Sequence, residues 1–151
     1  MSVRRYAEGT TVSVESSRGE ITGILAKHGV ERMAWGTEPE GDVLQFQLGG
    51  HRFAFRIERP TAKSLWERWK EDGRPETTLR YLPSDAQVAA EWRRRWRAHV
   101  LLIKAKLEFI DGGDTTLERE FLPYMVLKDG RTFEEALAAG AFPALSAGDQ
   151  P

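Results

Sequence analysis

Residues 84–110 read SDAQVAAEWRRRWRAHVLLIKAKLEFI. Val88, Trp92, Trp96, Val100, Ile103, Leu107 and Ile110 recur there at steps of three and four. That is the period of one helix face. Ser84 stands three residues before Gln87, the form of a capping box, in which each side chain bonds the other's free backbone N–H. Asp111-Gly112-Gly113 ends the pattern. One long helix is expected, with Trp96 in the core. Arg93, Arg94, Arg97 and Lys104 lie to one side of the apolar stripe, and Arg95 and Lys106 to the other. The helix should organise a core and also show a cationic flank, with Arg97 exposed.

Upstream, Gly49-Gly50 separates two alternating segments. Residues 43–48 point Leu44, Phe46 and Leu48 one way and Gln45 and Gln47 the other. Residues 51–58 point Phe53, Phe55 and Ile57 inward and Arg52, Ala54, Arg56 and Glu58 outward. Two glycines between alternating runs predict a hairpin, and the alternation predicts a sheet with one buried and one wet face. Residues 31–36, with Met33 and Trp35, add a third strand. Residues 10–15 alternate Val12 and Val14 with polar residues and read as a further short strand. The capping-box form Ser17-x-x-Glu20 opens a helix over 18–28. SLWERWKEDG predicts one or two helical turns bearing Trp66 and Trp69, followed by a loop with an edge strand or packing segment at 79–82. Thr115-x-x-Glu118 starts a helix that Pro123 should shorten, and Thr132-x-x-Glu135 caps a last one. The fold class is α+β: an antiparallel meander of three to four strands against one long helix, with shorter helices. Residues 1–140 form one domain, and 141–151 a loosely held tail.

With 151 residues the chain can bury a sizeable core. It has no cysteine, which excludes disulfides, thiol catalysis and Cys-based zinc sites. Asparagine is also missing, and loss of Cys and Asn is one mark of thermophile proteins, while a GC-rich genome favours the codons of arginine, which outnumbers lysine here. No apolar run is long enough to span a bilayer, and MSVRRYAEGTT lacks the apolar stretch of a signal peptide. The expectation is a cytoplasmic protein without a membrane partner.

The net charge of −1 hides an asymmetry. Residues 74–106 carry 8 basic and 3 acidic groups, a net of +5; residues 107–151 carry 3 basic and 9 acidic groups, a net of −6. Such segregation marks a polyanion-binding zone beside an acidic face, or two segments that neutralise each other. His28, His51 and His99 have no metal-ligand spacing, and no P-loop, Rossmann, G-x-S-x-G or H-E-x-x-H motif is present. No catalytic residue, metal site or cofactor is expected. What remains is arginine, whose fork suits phosphate. The candidate nucleic-acid-binding residues are Arg93, Arg94, Arg97 and Lys104 on the helix flank, with Arg52 and Arg56 on the wet sheet face. Trp92 and Trp96 lie among the helix arginines, where aromatic planes either stack on unpaired bases or pack in the core.

YAEGTTVSVESSRGEITGILAKHG, FQLGGHRFAFRIERP and RRRWRAHVLLIKAKLEFIDGGDTTLEREFLPYMVLKDGRTFEEAL together resemble a family of small bacteriophage and prophage proteins. The resemblance covers most of the chain outside 61–82 and the tail. It implies a phage origin and a place in phage DNA metabolism. The element order is also similar to that of phage single-strand annealing proteins, at the level of fold alone. Three functions stand open: a protein that binds single-stranded DNA in replication or recombination; an interaction module, such as a phage inhibitor of a host enzyme acting through its acidic C-terminal face; and a nuclease whose site forms only on folding. DNA is the expected partner, and self-association into a homo-oligomer is left open.

Overall fold

The computed structural model describes residues 4–143; residues 144–151 of the expected tail lie outside them. Helix α4 spans Asp85–Asp111. At 1.5 Å per residue its 27 residues reach about 40 Å. Ser84 and Gln87 form the reciprocal capping box. Trp96, Val100, Ile103 and Leu107 are buried along one stripe, while Trp92 and Ile110 are partly buried at its ends.

The stripe lies under a three-stranded antiparallel sheet of β1 (Arg32–Glu38), β2 (Gly41–Leu48) and β3 (His51–Glu58), in that order. Leu44, Phe46, Phe53, Phe55 and Ile57 form the inner face, as their alternation requires. Phe46 contacts Phe53, Phe55 and Phe121 with ring centroids 5.3–6.0 Å apart. Helix α1 (Val14–Lys27) packs beside α4 with Ile21 and Leu25 buried. Gly49 and Gly50 both have positive φ, 58° and 79°, the conformation of a type I′ turn. Gly41 has φ 153°, and a Cβ there would run into the Ile57 carbonyl, so the strand start admits no side chain.

Register fixes what the wet face presents. Arg32, Gln47 and Arg52 form one row across the three strands, and Ala34, Gln45 and Ala54 the next. Gln45, Arg52 and Arg56 are exposed there. The segment after Phe121 closes part of the β3 edge, through a bridge between Met125 and Phe53.

Four local expectations are corrected. Residues 10–15 are not a strand: Ser13 caps α1 by accepting a hydrogen bond from Ser16 N at 3.1 Å, so the helix starts at Val14 and Ser17 is a buried residue within it. Burying Val14, Ser17, Ile21 and Leu25 along one helical face outweighs a two-residue alternation. Helix α2 (Ala62–Glu71) runs for ten residues, because the Thr61–Ser64 capping box starts it and Leu65 and Trp69 are buried. Residues 79–82 add no strand; a one-turn helix α3 (Glu76–Leu79) ends in a carbonyl that accepts the Trp66 indole N–H at 2.9 Å. Thr116, not Thr115, caps helix α5 (Leu117–Phe121), since the Thr115 hydroxyl donates to Glu120. Pro123 turns the following residues Leu122–Tyr124 into a 3₁₀ turn, and Thr132 caps helix α6 (Phe133–Ala138) as its spacing predicts.

Trp96 is fully buried between Trp35, 5.1 Å away, and Trp92, 5.9 Å away. Trp96→Ala should cost about 3–5 kcal/mol in urea denaturation. A loss near zero would mean that the α4 stripe does not hold the core.

Candidate phosphate-binding cavity

The arginines of α4 do not share one fate. Arg94 clasps Glu91 with two bonds of 2.8 and 2.9 Å, and Arg95 adds a third at 3.2 Å while its other arm donates to the Glu58 carbonyl. Arg97 is not exposed. It reaches across to α1, where it meets the Glu20 carboxylate at 2.6 Å and the Ser17 hydroxyl at 3.4 Å. Helical geometry is the reason: Arg97 follows buried Trp96 on the side that faces α1. Arg56 is held by Glu135 at 2.9 Å and Glu38 at 3.4 Å. Arg52 and Lys104 are exposed and form no ion pair among the described residues. Much of the +5 segment is thus matched by acids within it or from the first third of the chain; Lys106–Glu120 is its link to the acidic segment.

Arg93 differs. Its Nε donates weakly to the Thr10 carbonyl at 3.3 Å, and no carboxylate engages it among the described residues. It opens on a cavity of about 390 Å³ between α1, the β1–β2 hairpin and α4. Arg18 of α1 and Arg59, which follows β3, converge on the same cavity. Both are anchored by Asp42, whose side chain is 3% exposed: Arg18 at 3.0 Å and Arg59 at 3.5 Å. The Arg18 guanidinium lies over Trp35 and Trp96 at 5.5 and 5.3 Å, and that of Arg59 over Trp92 at 5.1 Å. One buried carboxylate and an aromatic floor therefore orient two forks, and a third arrives from α4. Val14 and Glu15, at the N-terminus of the 14-residue α1, also line the space, whose three arginines thus stand against two acids, Asp42 and Glu15. Their N–H groups precede the first intrahelical bond and favour an anion.

Two larger cavities differ in charge. One of about 570 Å³ beside β3 matches Arg56, Arg68, Arg94 and Arg95 with Glu58, Glu91, Glu134 and Glu135. His99 lines it; its Nδ1 donates to the Arg95 carbonyl at 2.9 Å, which leaves Nε2 as the lone-pair nitrogen. The other, of about 650 Å³, lies on the wet sheet face with Arg32, Arg52, Gln45 and Gln47 and no acid. Among the described residues no group of three or more His, Asp or Glu is placed to hold a metal, and no helix is long and apolar enough to cross a membrane.

Of the candidate residues named from sequence, Arg93 reaches the converging cavity and Arg52 the acid-free sheet face. Arg18, Arg59 and Asp42 were missed. Each is isolated in sequence, and Gly41-Asp42 reads as an ordinary turn pair. None of the family models, curated proteins or solved structures compared with this chain matches it.

Two changes probe the site's framework. Asp42→Ala should cost about 1–3 kcal/mol, because two guanidinium groups lose the buried charge they face; their partial exposure limits the penalty. Equal stability of variant and wild type would show that Asp42 anchors nothing. For pH, burial pushes His99 below its ordinary 6.5, aided by the Arg94 and Arg95 charges and opposed by its backbone bond. Burial raises Glu91, but the Arg94 and then the Arg95 bonds and charges outweigh it and hold the carboxyl below 4.5. Both groups bind protons more readily when unfolded, so stability falls on acidification. The His99 share is lost as pH drops from 6.5, and the Glu91 share below 4.5. In thermal melts against pH, His99→Gln should remove the upper part of this slope and keep the lower. An unchanged slope between pH 6.5 and 5 would exclude His99 as its source.

Proposed function

We propose that this protein binds nucleic acid, single-stranded DNA foremost, by seating a backbone phosphate between Arg18, Arg59 and Arg93. The observation that carries this reading is the convergence of three arginines from separate elements on one cavity at a helix N-terminus, two of them aimed by a buried carboxylate. Such forks bond phosphate oxygens in pairs, and orienting them in advance lowers the entropy cost of binding. Half-buried Trp92 borders the same space, and binders of unpaired strands combine cationic grooves with aromatic planes. On the wet sheet face Arg52 supplies a second phosphate contact, with Gln45 and Gln47 as neutral hydrogen-bonding neighbours. Phosphate contacts hold a strand without reading its sequence, so binding should be strong at low salt and weakly sequence-dependent.

The test is fluorescence anisotropy with single- and double-stranded oligonucleotides over a salt series. Arg59→Gln combined with Arg93→Gln should weaken binding at least tenfold. It should also flatten the salt slope by about 0.7 for each phosphate of a single strand that the protein no longer neutralises. Arg97→Gln, which removes only the tie to α1, should leave both unchanged in a folded protein. Wild-type protein that binds neither DNA nor RNA at low salt would end the proposal.

A further inference from the structure

Strand β1 is an open edge. It pairs with β2 on one side, and no strand or bridge among the described residues lies on the other. Glu38 pairs with Gly41 across the two-residue turn Pro39-Glu40, which makes that pair and every second one along the ladder bond to β2. The N–H and C=O groups of Met33, Trp35 and Thr37 therefore face outward, along a strand of seven residues.

Helix α1 holds a second unexplained feature on the same side. Gly19 and Gly23 sit in its interior, where glycine weakens a helix relative to alanine. Neither is needed by the single chain: a Cβ at either position would meet nothing within 4 Å. Gly19 is three residues before Thr22 and Ala26 four after it, so both adjoin Thr22 on the helix surface. Thr22 lies under β1, where its hydroxyl accepts the Trp35 indole N–H at 3.4 Å. Beyond Arg18, which covers Trp35, the face of α1 around Thr22 carries only the small residues Gly19 and Ala26.

We propose that two copies of the chain pair through β1 about a two-fold axis at Trp35, giving one six-stranded antiparallel sheet with the two α1 helices adjacent beneath it. The charges of β1 select this register. Arg32 and Glu38 lie three residues either side of Trp35 and on the wet face. In the two-fold pairing each Arg32 stands opposite the second copy's Glu38, in the position where cross-strand side chains approach most closely. Arg32 has no ion pair within its own chain among the described residues, and Glu38 reaches only Arg56, at 3.4 Å. Ala34 then faces Gly36, so no bulk opposes the approach. Met33, Trp35 and Thr37 gain backbone partners, and the half-exposed rings of the two Trp35 side chains meet at the axis. The pairing uses the sheet edge and α1 and adjoins the phosphate cavity, since Thr37 and Arg18, whose guanidinium lies over Trp35, line that cavity.

Sedimentation velocity over a concentration series tests it. The wild-type chain should sediment at twice its 17.1 kDa mass. Gly19→Leu adds bulk to open space in the single chain and should yield a folded monomer. Arg32→Glu and Glu38→Arg should each weaken association at least tenfold, and the two together should restore it by exchanging the charges. A wild-type protein that stays monomeric at its highest soluble concentration overturns the proposal. So does a dimer indifferent to Gly19→Leu, or a double variant no tighter than the single ones.

Discussion

Asp42 is buried near the turn of the β1–β2 hairpin, and a carboxylate taken out of water must be met by positive charge. Two arginines meet it, Arg18 from α1 and Arg59 from the chain leaving β3. That requirement joins three separate parts of the chain at one point. It fixes the first turns of α1 against the hairpin and sets the path of the chain into α2. Trp35, Trp96 and Trp92 supply the aromatic planes on which the two guanidinium groups rest. Both arginines line the cavity beside them.

The arginine run at 93–97 shows how helical angle divides like residues among different tasks. Arg94 and Arg95 turn back to Glu91 on their own helix. Arg97 links α4 to α1 through Glu20. Among the described residues Arg93 alone of the four meets a carbonyl and no carboxylate, and it lines the converging cavity. A net charge of +5 over residues 74–106 therefore overstates the field that an approaching polyanion meets. What matters for phosphate is how many forks are not already satisfied, and whether they point to one place. By that measure Arg93 in the cavity at α1 and Arg52 on the sheet face stand apart from the charge-balanced space around His99, while Arg18 and Arg59 share Asp42.

Edges and glycines carry a related lesson. A monomeric sheet usually blunts its exposed edge with bulges, inward charges or covering loops. β1 alternates small and large residues, with Arg32 and Glu38 of opposite charge at its two ends, and α1 beside it has Gly19 and Gly23 in its interior. Interior glycines weaken a helix relative to alanine, and no contact within the chain requires these two.

The pieces governed by local spacing are legible along the chain. The apolar stripe of α4, its Ser84–Gln87 cap, the strands around Gly49-Gly50 and the Thr132 cap all depend on residues within one or two turns of each other, so periodicity exposed them. Competition between equally good local signals was not legible: Ser13 against Ser17, or Thr116 against Thr115, was settled by which frame buries the apolar face. The fate of each arginine lay further beyond reach. Arg18, Asp42, Arg59 and Arg93 lie up to 75 positions apart, and no spacing rule relates them. Only tertiary structure brought them together, because charge pairing acts through distance in space, and the chain records only distance along itself.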